Sequence, residues 1–262
     1  MKGKVIGNTI KLDFIRAFRS WKFPVSILLG TAVCYFTLLF CGDYKSPAIH
    51  KFIYMHDRSQ SFLAYIVGIL PFAFCFYDDL KFGNIRNVAG RIPLRLYVFS
   101  KTLIACIAAI CAFVLGKLLF VALYSFDTPV CTPGTLNMIP NSILYIEMIR
   151  NQDYFAFFLT TSFHKALYCG LLCQVVMLVS ILIPNKSVML SIPVAFFYVF
   201  NFYVNNNLNS DLLNFTRIFD GITCLWDKDS YCFLYAVVIA ALSCFILYRL
   251  TLRILRKKVY NE

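Results

Sequence analysis

Charge is scarce in this chain of 262 residues: 15% are Asp, Glu, Lys or Arg, and acids number 13 against 25 cations. Soluble domains carry about 25% charged and about 45–50% apolar residues, whereas here 60% are hydrophobic and 17% aromatic. That imbalance excludes an ordinary soluble domain and leaves no length for a catalytic one beside a membrane domain. The phosphate-binding loop Gly-x-x-x-x-Gly-Lys-Ser/Thr is missing, so the chain is not expected to bind nucleotide itself. Also missing are His-Glu-x-x-His, Gly-x-Ser-x-Gly and any Cys-x-x-Cys pair, which argues against an intramembrane enzyme or a metal site. The three histidines, His50, His56 and His164, fall in outer connections or at a span edge, none at ligand spacing from a partner. No internal repeat is visible, against an inverted-repeat secondary transporter. No carboxylate lies in an apolar run, against a proton or ion relay.

What the sequence does have is long apolar runs. A helix needs about 20 apolar residues to cross a bilayer. Six runs qualify: Phe23–Cys41, Ser61–Tyr77, Ser100–Tyr124, Ser162–Ile183, Val188–Val204 and Tyr231–Tyr248. The first is long enough to stay in the bilayer, and nothing before it reads as a cleavable signal peptide. With the N-terminus placed inside, 17 of the 25 cations and only four acids (Asp13, Asp78, Asp79 and Glu262) fall in inner segments. The bias predicts both termini cytoplasmic. It also accounts for the basic residues without nucleic acid as a partner. Lys117 and Lys165 fall inside runs near the outer interface, where a lysine is expected to snorkel to water. Most of the 11 cysteines sit in apolar runs as small packing residues; Cys131, Cys224 and Cys232 fall in polar connections, where an external disulfide stays open. Ala108, Ala112 and Gly116, and Gly170 with Gln174, form small faces that suit close helix packing. Pro193 is expected to break or kink the fifth run.

The chain divides into an amphipathic element over 1–22, a membrane domain over 23–248 and a basic tail over 249–262. In the first, Ile6, Ile10, Phe14, Ala17 and Trp21 share one helical face while Lys4, Lys11, Arg16 and Arg19 point elsewhere. That pattern fits a helix on the inner membrane surface with its cations toward lipid head groups. Two outer connections are long, Phe126 to about Thr161 and Asn205 to Ser230; the second reads as an interfacial or re-entrant element, allowed only where protein or water covers it.

Between the second and third runs lies "YDDLKFGNIRNVAGRIPLRLYVFSK". Asp78 and Asp79 suit a helix N-terminus, Gly83 permits a turn, and Pro93 prevents one continuous helix. The acidic residue Asp79, then Gly83, Ile85, Arg86 and Asn87, followed by "YVFSK" at Tyr97–Lys101, resembles the cytoplasmic loop of ABC-2 type permeases of the small Gram-positive bacterial kind. Asp79 stands where such proteins often have Glu. The resemblance implies an all-α membrane protein of six transmembrane helices in the bacterial cell membrane. It further implies an N-terminal elbow helix (Ile6, Ile10, Phe14, Trp21) and a coupling helix in the loop (Asp78, Asp79, Gly83, Ile85, Arg86, Asn87, Arg91, Arg95). A re-entrant element is implied before the last span. The partners it implies are a separate ATPase subunit carrying ATP and Mg²⁺, a second permease subunit, identical or homologous, and membrane lipids. No cofactor is expected in this chain. The expected function is export of a peptide or other amphipathic molecule. A different reading is a membrane immunity protein that sequesters an antimicrobial peptide without transport, motivated by the outer aromatics Tyr145, Tyr154, Phe155, Phe157 and Phe158.

Overall fold

The computed structural model describes residues 2–39, 46–57, 62–85, 92–140, 142–199, 214–223, 226 and 228–260. These are almost entirely helical, and no strand occurs among them. In chain order the helices are α1 (Lys2–Phe18), α2 (Lys22–Leu39), α3 (Ala48–Asp57), α4 (Phe62–Ile69), α5 (Cys75–Lys81) and α6 (Leu94–Tyr124). There follow α7 (Pro133–Met138), α8 (Ile146–Arg150), α9 (Tyr154–Leu182), α10 (Lys186–Tyr198), α11 (Phe215–Ile218) and α12 (Asp229–Tyr260). Four of them, α2, α6, α9 and α12, are long and apolar enough to cross a membrane.

The second apolar run does not form one helix. It divides into α4 and α5 around a turn at Leu70–Phe74, and the cause is Pro71. A proline at that position cannot donate to the carbonyl of Val67, four residues back. That carbonyl accepts instead from the Ser26 hydroxyl of α2 at 2.6 Å and from the Leu70 N–H at 3.2 Å. The break is thereby satisfied inside the bundle, as apolar surroundings require. In α10 the outcome differs: Pro193 lies within the helix, which runs on through it to Tyr198. Residues 200–204 of the expected fifth run lie outside the described residues. Pro93 is the residue immediately before α6, so that helix starts after it. α6 therefore begins six residues before the expected Ser100, and α9 eight before the expected Ser162. Arg95 thus lies in the first turn of α6, not in a loop. α12 continues past Tyr248, so Arg249 and the basic residues after it extend the last span as helix.

α6 is the axis of the bundle, packing against α1, α2, α4, α9 and α12. Small residues set the distances. At the α2–α6 crossing, Gly30 and Gly116 bring backbones together. A Cβ on Gly116 would stand 3.3 Å from the Ile27 carbonyl oxygen and 3.4 Å from Gly30 Cα. Thr31 seals the crossing by donating to the Gly116 carbonyl at 3.0 Å. Ala108 packs with Ala17 and Ile104 beneath α1. On the opposite side Gly170 abuts Cys106 and Ile110, and the Gln174 amide donates to the Thr102 carbonyl at 2.6 Å. Both small faces are thus used within the chain.

Gly116→Val is expected to lower the thermal unfolding midpoint in detergent, by an overpacking cost of about 1–3 kcal/mol. Gly7→Ala, with nothing near its Cβ position, is expected to leave the midpoint unchanged or raise it. Equal effects at the two sites would refute the close crossing.

Candidate functional site

Two buried polar clusters lie toward opposite ends of α6. The first gathers the loop motif. Pro93 starts α6 early enough to place Tyr97 and Lys101 one turn apart on one face, with Ser100 beside them. α5 brings Asp79 to that face and α1 brings Asp13. The Lys101 ammonium lies 2.7 Å from Asp79 Oδ2 and 3.9 Å from Asp13 Oδ1. The Tyr97 hydroxyl donates to Asp79 Oδ2 at 2.6 Å, and the Ser100 hydroxyl donates to Asp13 Oδ2 at 2.6 Å. The rings of Phe72 and Tyr97 flank the ammonium, their centroids 5.4 and 5.2 Å away. Lys101 is 3% exposed and Asp13 4%. One cation between two carboxylates, each with its own hydroxyl donor, satisfies the charges that burial would otherwise penalise.

This arrangement alters the expectation for the loop. Asp79 is not free for a partner; the chain itself grips it. Asp78 sits in the first turn of α5, 3.8 Å from Lys186 of α10. Gly83 takes φ +67°, the turn expected of it, and Ile85 is buried. Arg95 is exposed. Arg86, Asn87 and Arg91 lie outside the described residues. What the turn presents outward is Phe82, 70% exposed, with Lys81 and Asn84 beside it. Of the expected stripe on α1, Ala17 is buried and Ile10 half-buried, whereas Phe14 and Trp21 are exposed. The side chain of Ile6 lies outside the described residues. The seam of α1 against α6 is instead Thr9, Asp13 and Ala17, because Asp13 turns inward to Ser100 and Lys101.

The second cluster overturns the reading of Lys117 and Lys165 as snorkelling lysines, and it gives His56 and His164 their partners. α3 folds over the bundle and buries His56 against α6 and α9. Lys117 does not snorkel; it is 3% exposed, and its ammonium lies 2.9 Å from His56 Nε2. His56 Nδ1 faces the Phe52 carbonyl at 3.2 Å. A carbonyl only accepts, so Nδ1 carries the proton and Nε2 accepts from Lys117. Burial and the neighbouring Lys117 and Lys165 cations hold the His56 pKa well below the ordinary 6.5. Lys165 donates to the His56 carbonyl and pairs with Asp220 at 3.5 Å. His164, next to it on α9, accepts from the Tyr145 hydroxyl at Nδ1 and donates from Nε2 to the Ile218 carbonyl, both at 2.8 Å.

These contacts fasten the segment at 214–223 to α9. Gly221, at φ +75°, approaches the Thr161 carbonyl so closely that a Cβ would stand 3.0 Å away. Leu144 N–H donates to the Ile222 carbonyl at 2.8 Å. Tyr145 itself adopts φ +64°, a strained conformation for a bulky residue. It is held by Asp229, which accepts its backbone N–H at 3.0 Å, and by His164. Of the outer aromatics, Tyr145, Phe157 and Phe158 are buried, and Phe155 is exposed.

Among the described residues no group of three or more His, Cys, Asp or Glu is placed to hold a metal. Cys224, one of the three cysteines in the polar connections, lies outside them. Comparison with family models, curated proteins and solved structures finds no match to this chain.

Lys101→Met leaves two buried carboxylates without their cation and is expected to cost about 3–5 kcal/mol. Adding Asp79→Asn should recover part of that loss, because the two sites are coupled. Thermal unfolding of the variants in detergent measures both, and additive losses would refute the shared ion cluster. The His56 pKa is depressed in the folded chain, so its contribution to stability is present above the unfolded value near 6.5 and is lost as pH falls from there toward the folded value. The unfolding midpoint is expected to fall between about pH 7 and 5, and His56→Gln should flatten that slope. An unchanged slope would refute the burial of a neutral His56.

Proposed function

We propose that the chain is the permease subunit of an ATP-driven ABC-2 type transporter. It exports a peptide or other amphipathic molecule and is powered by a separate ATPase subunit. On this reading the broken pair α4–α5 and the helix α10 complete a six-span layout, with both termini cytoplasmic in a bacterial cell membrane. α1 is the elbow helix, α5 with its turn is the coupling element, and the segment around α11 is the outer re-entrant cap. A second permease subunit, identical or homologous, closes the pathway.

One observation carries the reading. The motif between the second and third runs is bonded through Asp79 to Lys101 and Tyr97 of α6, and α6 is bonded to α1 through Asp13. A force applied to the turn at Phe82–Gly83 therefore reaches the axial helix and the surface helix together. A loop that served only to orient the chain in the membrane would not need a buried ion cluster at its root. The exposed Phe82 beside Lys81 supplies the apolar contact a docking partner uses. The sequestration reading loses much of its motive, since three of its five aromatics are interior.

The test is reconstitution of the chain with an ATPase subunit encoded beside it. Phe82→Ala is expected to weaken their association by about tenfold, a loss typical of a truncated apolar anchor, without lowering the unfolding midpoint of the isolated chain. Lys101→Met, in protein that still folds, should leave association in place and reduce substrate-stimulated ATP turnover. Association indifferent to Phe82, or protection from a peptide that persists without any ATPase, would remove the transporter reading.

A further inference from the structure

At the end of the bundle that carries most of the cations, a cleft of about 630 Å³ opens between α5 and the last turns of α12. Its walls are Tyr77, Asp79, Leu80, Lys81, Gly83 and Ile85 on one side and Lys258 and Val259 on the other, with Pro184 between α9 and α10 at its base. We propose that this cleft is a binding site for the head group and first acyl carbons of an anionic glycerophospholipid. The assignment does not depend on the transporter reading; it needs only that the bundle spans a membrane.

Depth is the first argument. The Lys258 ammonium reaches back to the Ile181 carbonyl at 3.3 Å, in the last turn of α9. Leu182 and Ile183, which follow, are exposed apolar residues, and Pro184 and Asn185 end the run. The cleft therefore opens where the apolar surface of α9 gives way to polar chain, the level at which phosphates lie. Charge is the second. Lys81 and Lys258 line the cleft, and Lys186 stands at its edge, its ammonium 5.3 Å from the centre of the Tyr77 ring. Lys257 and Arg256 are exposed on the adjoining turn of α12. Against these cations stand Asp79, already matched by Lys101 and Tyr97, and Asp78, 3.8 Å from Lys186. The excess is positive, as basic pockets between helices that hold acidic lipids require. Composition is the third: Leu80, Ile85 and Val259 make an apolar interior beneath a cationic rim, which suits a molecule charged at one end and hydrocarbon at the other. An acidic protein segment would use the rim and leave the interior unused.

An occupied cleft would bridge α5, α9 and α12, so the lipid would brace the same α5 whose Asp79 is bonded to α6. The experiment uses the full chain in nanodiscs of phosphatidylcholine with graded phosphatidylglycerol, retained lipid being counted by native mass spectrometry. Phosphatidylglycerol is expected to be retained in preference to phosphatidylcholine. The combined variant Lys81→Gln, Lys186→Gln, Lys258→Gln should weaken that retention at least about tenfold, consistent with the effect of removing several cations at a membrane surface. A control removing the same charge from α1 (Lys11→Gln, Arg16→Gln, Arg19→Gln) should weaken it clearly less. Equal retention of the two lipids, equal loss in the control, or displacement of the lipid by an acidic peptide with no effect of the lysine variant, would each overturn the proposal.

Discussion

The buried ammonium of Lys101 organises one end of this molecule. Three segments distant in sequence, α1, the broken second run and the axial helix α6, meet there because each contributes part of one ion cluster, a cation between two carboxylates. A cation shut away from water is costly by itself, and so is each carboxylate. Their joint burial is tolerable only when all are in place with their hydroxyl donors. The cluster therefore acts less as a source of net stability than as a specification. Alternative packings of α1 or α5, which hydrophobic surface alone would permit, strand a charge.

Glycine and alanine perform the corresponding task in the apolar layers. Gly30 and Gly116 let α2 and α6 touch backbone to backbone, and Gly170 seats α9 on Cys106 and Ile110. The apolar drive between helices is weak where lipid is as apolar as the side chains, so close contact and hydrogen bonds supply the specificity. Thr31 to the Gly116 carbonyl, Gln174 to the Thr102 carbonyl and Ser26 to the carbonyl freed by Pro71 all follow that pattern.

Much of this was legible in the residues. The helical class and four long apolar helices follow from run length, and the turn at Gly83 from its position. The small faces of α6 and α9 were also visible. What escaped was pairing across distance. Nothing local marks Asp13 as the partner of Lys101, 88 positions later, although an inward acid among outward cations was a usable signal. Lys117 was read by its depth along α6, which is sound for a helix facing lipid. It fails here because α3 brings His56 over it, and α3 belongs to a connection with no strong apolar signature. His164 and Lys165 were equally opaque, since their partners Tyr145, Ile218 and Asp220 come from two separate connections. Pro71 and Pro193 show the same limit: two prolines in apolar runs, one ending a helix and one accommodated, distinguished only by their neighbours.

The two ends of α6 obey different electrostatic rules. Lys101 and Lys117 are separated by roughly 24 Å of helix axis. Lys101 is matched by carboxylates, so its environment favours one fixed charge state and one fixed geometry. Lys117 meets a neutral imidazole and the faces of Phe52 and Phe113, while the nearby Asp220 serves Lys165. Its end of the bundle therefore carries more cation than nearby acid, under a cover of α3 and the 214–223 segment held by a handful of hydrogen bonds. One end of α6 is thus held by a cation set between two carboxylates, and the other by the His56 ring, two aromatic faces and the hydrogen bonds that tie the 214–223 segment to α9.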